Sequence, residues 1–282
     1  MRILHVAVFT PESTNVWQAD AFESLGHEVI RYDYRAMVRK YGNVERDKHL
    51  ISLCRNENPD FSLFSKCNNM DIKVVEECGK IGKTVLWYMD SVDNINAELI
   101  QKMQKSDYIF SGGWDGYDEG LKYNKNTFRI HEGYNPKTNY PMDVPKVHDV
   151  CFIGELRANR AVFRREVSFD VVTGAFNEDH ARVVSETKIN LNFTIGGGTS
   201  DRTYKVLAAK GFLLTEPWNK IKEDFEIGED LDVFTSPKNL QERVEYYLEH
   251  EEEREKISEH GYNTVQKYDN ISYAKKILEI VS

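Results

Sequence analysis

The sequence predicts an α/β fold built from parallel strands joined through helices, and three observations carry that expectation. The opening reads as strand, loop, helix and strand over residues 2–9, 10–15, 16–25 and 29–32, with Gly26 closing the helix. Strand and helix patterns then alternate down the rest of the chain, the signature of crossover units. At 282 residues, 40% hydrophobic and 29% charged, the chain suits two small α/β domains or one large one.

The elements follow in order. A helix is expected over 46–56, a strand over 60–64 and a helix over 71–78. The aromatic and apolar run 84–88 predicts a strand leading into Met89, Asp90 and Ser91, followed by a helix over 94–104. A strand at 108–111, a helix at 114–121 and a strand at 127–130 complete the first half. Residues 135–147 hold Pro136, Pro141 and Pro145 without periodicity, and read as the interdomain linker. Beyond it come a strand over 149–153, a basic helix containing Arg157, Arg160, Arg164 and Arg165, a strand over 169–173 ending in Gly174, and a helix over 180–185. Amphipathic helices are expected at 240–250, 252–260 and 273–280.

The formal net charge of −9 counts against duplex nucleic acid as a partner, because that affinity comes from neutralising phosphates with Lys and Arg. Much of the acidity lies in 223–232 and 249–255, which read as solvated surface. No apolar run is long enough to span a membrane, and the start reads as a strand without a cleavable leader's longer apolar core. Cys54, Cys67, Cys78 and Cys151 show no CxxC spacing, so reduced thiols and a cytoplasmic location are expected.

The chain is organised around residues 188–216. Ile189, Leu191, Phe193 and Ile195 alternate with Asn190, Asn192 and Thr194, the period of a strand. Gly196, Gly197 and Gly198 form a turn whose backbone approaches a ligand closely, and Thr199, Ser200 and Asp201 suit a helix start. Tyr204, Val206, Leu207 and Ala208 give that helix an apolar face, Gly211 ends it, and Phe212, Leu213 and Leu214 begin a buried strand. Free N–H groups at the helix start, with Arg202 and Lys205 on its first turns, have the chemistry of an anion site, most simply a phosphate or diphosphate. The same residues also suit a packed turn beside a solvated basic helix.

The segment Arg-Thr-Tyr-Lys-Val-Leu-Ala-Ala-Lys-Gly-Phe-Leu-Leu-Thr, residues 202–215, resembles the donor-site segment of the CgeB-like (spore maturation protein) glycosyltransferases. The resemblance is strongest over 148–270 and thinner before. It implies a GT-B fold: two Rossmann-like domains facing across a cleft, an acceptor domain at 1–140 and a nucleotide-sugar donor domain at 141–282. The last helix is expected to cross back to the N-terminal domain. Residues 217–228 resemble a loop that closes over the donor, where Trp218 would pack or stack. Where related retaining enzymes carry a ribose-binding Glu this chain has Lys205, and the partner acidic position falls on Gly197, so Lys205 is expected to meet a phosphate instead.

The resemblance implies a metal-independent transfer of sugar from a nucleotide-diphosphate sugar, such as a UDP- or GDP-sugar, with no other cofactor and no metal site. Donor-binding residues are then Gly154, Arg157, Gly174, Gly196, Gly197, Gly198, Thr199, Arg202, Tyr204 and Lys205, with Arg202 and Lys205 neutralising the departing diphosphate. Asp90, Asp93 and His131 stand where predicted strands end, the ligand side of an open α/β sheet. Asp90 is the first candidate for a base. Asp93, His131, Thr14 and Asn15 are candidates for the acceptor side. The acceptor hydroxyl is open among glycan, lipid, protein and modified nucleobase. Two rivals are a non-catalytic sugar-nucleotide or glycan-binding protein, which the Lys205 substitution favours, and a nicotinamide-dependent oxidoreductase, which the missing GxGxxG disfavours.

Overall fold

The computed structural model describes residues 1–157, 160–194 and 198–282, which fall into two compact units. The first comprises Met1–His131 with Asn270–Ser282, and the second Glu132–Asp269.

The first unit runs β1 (Arg2–Ala7), α1 (Thr14–Ser24), β2 (Glu28–Asp33), α2 (Tyr34–Glu57), β3 (Phe61–Ser65), α3 (Ile72–Cys78) and β4 (Lys83–Tyr88). It continues through α4 (Ala97–Lys105), β5 (Tyr108–Ser111), α5 (Trp114–Gly120) and β6 (Thr127–Arg129). Its parallel sheet has the order β2-β1-β3-β4-β5-β6, so the winding reverses between β1 and β3. Successive residues of β4 serve opposite faces: Leu86 and Tyr88 join the core beneath α2, α3 and α4, while Val85 and Trp87 face the opposite layer. This two-sided burial is why the strands read as continuous apolar runs.

The second unit runs β7 (His148–Ile153), α6 (Arg160–Glu166), β8 (Asp170–Val172), α7 (Asn177–Ser185), β9 (Thr187–Asn192), α8 (Asp201–Ala208) and β10 (Leu213–Thr215). It closes with β11 (Asp232–Val233), α9 (Pro237–Glu249) and α10 (Glu251–Val265). The sheet order is β11-β10-β9-β7-β8, again parallel. The final helix α11 (Asn270–Val281) belongs to the first unit, where Tyr273 meets Phe22 and Trp87 edge-on at 6.5 and 5.3 Å and Ile277 is fully buried. Among the described residues no helix is long and apolar enough to cross a membrane.

Several expectations need correction. Helix α2 begins at Tyr34 rather than 46; its two halves meet at Gly42, whose φ of 78° breaks the helical pattern that periodicity detects. Strand β9 ends at Asn192, and its asparagines are buried, because a central strand has no solvent face. The acidic stretch 223–232 is not all solvated. Asp224, Asp230 and Asp232 are buried, Asp230 accepting from His260 and Thr264 at 2.7 and 2.6 Å and Asp232 from the Tyr247 hydroxyl at 2.8 Å. Trp218 is buried, with its indole N–H 3.3 Å from Asp224, so it packs the core under the 217–228 segment.

His180, in the first turn of α7, is 6% exposed. Burial first, then the nearby Lys205 and Arg202 cations, push its imidazole down to about 3. An unfolded histidine has a pKa of about 6.5, so the unfolded chain takes up a proton that the folded chain refuses between those values. Stability is therefore lost as pH falls from 6.5 toward 3, at up to ~1.4 kcal/mol per pH unit for this residue. His180→Gln should flatten that loss in thermal melts between pH 6.5 and 4.5; parallel curves for variant and wild type would contradict it.

Candidate active site

The candidate functional side chains of the second unit gather at the carboxyl ends of β7, β9 and β10. Arg202, on the first turn of α8, lies back across the sheet edge. Its Nε donates to the Ile153 carbonyl at 2.8 Å and its Nη1 to Asn192 Oδ1 at 2.9 Å. Its guanidinium sits 4.9 Å from the centre of the Phe152 ring. Asn192 is itself fixed, its amide donating to Thr215 Oγ1 at 3.0 Å on the neighbouring strand. The guanidinium is thus held by two neighbouring strands, β7 and β9, the second braced by β10, while Nη2 has no hydrogen-bond partner among the described residues.

A second guanidinium stands close by. Arg160, at the start of α6, is buried, donates from Nη1 to the Glu155 carbonyl at 3.1 Å and lies 5.1 Å from the same Phe152 ring. Burial lowers both arginines, Arg202 to about 10; Asp201 and Glu132 oppose the shift at Arg202 and Glu216 at Arg160, while Arg160 adds to it at Arg202 and Arg157 at Arg160. Two partly desolvated guanidinium groups about one aromatic ring, their charge offset in part by those carboxylates, suit a bound dianion.

Gly154 decides whether that anion can reach Arg202. Its φ is 145°, and a Cβ there would lie 3.0 Å from Arg202 Nη2 and 3.0 Å from the edge of Phe152. Any side chain would both strain the backbone and cover the free guanidinium nitrogen.

The remaining predicted donor residues divide. Lys205 is paired within its helix, Nζ to Asp201 Oδ2 at 2.5 Å. Burial alone would raise the Asp201 carboxyl, but Lys205, with Arg202, overrides it and holds it at about 2. Lys205 therefore serves first to neutralise Asp201, and its ammonium is not the free phosphate donor the sequence led one to expect. Tyr204 is fully buried between Phe225 and Tyr268, at ring distances of 6.0 and 5.7 Å, so its role is packing beneath the helix. Arg157 is exposed, whereas Arg160, three residues on, is the buried cation of the site. Gly174 stands at the end of β8 with φ 74° and open space before it. Gly198 and Thr199 lead into α8, while Gly196 and Gly197 lie outside the described residues. Sequence reasoning missed Asn192, Phe152 and Glu216. Glu216 Oε2 accepts the Thr194 N–H at 3.0 Å and so pins the loop after β9.

In the first unit the corresponding sheet edge carries Asp90, just beyond β4. Its Oδ1 accepts from Lys66 Nζ at 2.6 Å, and Oδ2 has no partner among the described residues. Lys66 follows β3 in a left-handed conformation (φ 61°), and the Cys67 N–H returns to the Ser65 carbonyl at 2.8 Å, a strained three-residue turn. Asp93 is exposed, and His131 Nδ1 accepts from Arg129 Nη2 at 3.4 Å. Thr14 opens α1. Asn15 closes the preceding loop, its amide donating to the Val8 carbonyl at 3.2 Å, so its place is structural.

Two Rossmann-like parallel-sheet units in one chain are the GT-B fold, and known structures match it across its length. HepE from Anabaena, solved with UDP and glucose, matches with a TM-score of 0.74 over 99% of this chain and 98% of its own, at 9% identity. A glycosyltransferase from Rickettsia africae matches at 0.74, 99%, 97% and 12% identity. Sucrose-phosphate synthase from Thermosynechococcus elongatus matches at 0.70, 99%, 98% and 9% identity. Such identities establish the fold alone. In sequence, residues 152–280 match the family model described as glycosyl transferase-like, a span that includes every second-unit side chain of the Arg202 site. No curated protein sequence matches the chain.

Gly154→Ala should abolish the thermal stabilisation of the protein by inorganic pyrophosphate. Arg202→Lys, which loses the planar fork, should weaken it about 10- to 100-fold, the loss of one charge-assisted hydrogen bond. Melting curves in pyrophosphate check both; unchanged stabilisation in Gly154→Ala would contradict the site.

Proposed function

We propose that this chain is a glycosyltransferase that moves a sugar from a UDP-sugar to an acceptor hydroxyl, and that it belongs with the CgeB-like proteins within the GT-B fold. The observation that carries the reading is the pair of buried arginines about Phe152, with Nη2 of Arg202 left open by Gly154 beside the N-terminus of α8. The glycosyl transferase-like match over 152–280 and the UDP held by HepE support the same donor chemistry.

In the reaction the bond from the anomeric carbon to the diphosphate oxygen breaks, and the leaving group gains negative charge. Arg202 and Arg160, fixed before the reaction, meet that charge without reorganising, and the α8 N-terminus adds its dipole. The acceptor oxygen forms the new bond to the anomeric carbon, and its proton passes to Asp90, with Oδ2 as the receiving atom while Lys66 holds Oδ1. A base in this role implies inversion of configuration. The first unit takes the acceptor and the second the donor. Four free, buried cysteines support action in a reducing compartment, the cytoplasm.

Thermal melts with UDP-, GDP-, ADP- and TDP-sugars and with NAD test the donor. The UDP series should raise the melting temperature, and Arg202→Ala should lose the rise. Asp90→Asn should keep the rise and lose about 10²–10⁴-fold of UDP-sugar turnover. No rise with any nucleotide sugar, or a rise with NAD alone, would sink the transferase reading.

A further inference from the structure

The first unit carries an open surface pocket of about 350 Å³ beside the N-terminal half of α2, its polar lining exposed. Tyr34, Arg35, Arg39 and Asn43 line it from the helix, and Asn68 and Asn69 from the loop that leaves β3. Arg35 and Arg39 are one helical turn apart, so their guanidinium groups serve the same wall.

The pairing of these arginines sets them apart. Arg2, Arg31, Arg46 and Arg55 of the same unit each lie within 3.0 Å of a carboxylate. Arg35 and Arg39 meet none among the described residues, although acidic residues outnumber basic ones in the chain by 46 to 37. Arg35 is oriented instead by Tyr34, whose hydroxyl accepts from its Nε at 3.3 Å. The opposite wall is built with the same specificity. Lys66, Cys67 and Asn69 all take left-handed backbone conformations, with φ of 61°, 54° and 58°. Surrounding groups hold that strain in place. The buried Arg46 donates to the Asn69 carbonyl at 2.6 Å, and the Cys67 thiol donates to the Val6 carbonyl at 3.2 Å. The resulting pocket joins two unpaired guanidinium groups to two asparagine amides, donors that match the oxygens of a phosphate or a carboxylate. Its volume suits a sugar-sized ligand. The same short loop carries Lys66 to Asp90, so the pocket and the base share one supporting segment.

We propose that the acceptor is anionic, a sugar carrying a phosphate or carboxylate, and that Arg35, Arg39, Asn68 and Asn69 bind that group. This rests on the reading that the first unit takes the acceptor.

The test uses the full-length ¹⁵N-labelled protein saturated with UDP, which fills the arginine site of the second unit. It is titrated with glucose 6-phosphate, glucuronate and glucose. The backbone amides of Arg35, Asn68 and Asn69 should shift with one or both anionic sugars and not with glucose. Response to one anion only supports the proposal and names the group. The Arg35→Ala/Arg39→Ala double variant should weaken binding at least tenfold, with its melting-temperature rise in UDP showing that it is folded. No shift with either anion, or equal binding by the double variant, would overturn the proposal and leave the transferase reading standing. If UDP itself fails to bind while the anionic sugars do, the transferase reading falls and the anion pocket survives.

Discussion

The second unit depends on how one guanidinium is held. Arg202 is drawn from the first turn of α8 onto the sheet edge by the Ile153 carbonyl at 2.8 Å and by Asn192 Oδ1 at 2.9 Å. An arginine on an exposed helix turn would otherwise be solvated, and its contribution to anion binding screened by water. Here two of its three nitrogens are engaged in positioning, and the third is aimed where Gly154 leaves room. Phe152 is shared by Arg202 and Arg160, whose guanidinium groups lie 4.9 and 5.1 Å from its ring centre. Such a pair of partly desolvated guanidinium groups suits an anionic ligand, the basis of the proposed donor site. Lys205 and Asp201 illustrate the contrast: they neutralise one another within a single helix.

The first unit follows the same principle with the charges reversed. At the ends of β3 and β4 a strained turn places Lys66 on one oxygen of Asp90 and leaves the other available. Strain of this kind persists only where neighbouring contacts over-determine it, and Arg46 and the Cys67 thiol supply those contacts. Parallel sheets buried on both faces leave the loops beyond their carboxyl ends as the places where polar side chains are free to act. In both units the candidate site residues lie there.

Much of this was legible in the sequence, for particular reasons. The runs at 84–88 and 149–153 were apolar enough to read as buried strands, and Asp90 and Gly154 stood directly after them. Arg202 was visible because a strand, a glycine turn and capping residues preceded it. What was hidden depended on tertiary contacts. Asn192 read as the polar face of a strand, and only the neighbouring β10 shows it to be a buried brace. Lys205 looked like a free cation, although its i,i+4 spacing from Asp201 is that of a helix ion pair. Arg160 and Arg157 were equivalent as letters; burial against Phe152 separates them. Gly42 concealed the first half of α2, and with it the arginines of the pocket.

The most direct measurement is isothermal titration of the wild-type protein with uridine, UMP and UDP at one ionic strength. If Arg202 and Arg160 form a diphosphate site, affinity must climb with each phosphate, and the gain from UMP to UDP must collapse in Arg202→Ala. Equal affinity for uridine and UDP, or a UDP affinity untouched by Arg202→Ala, would contradict the central claim.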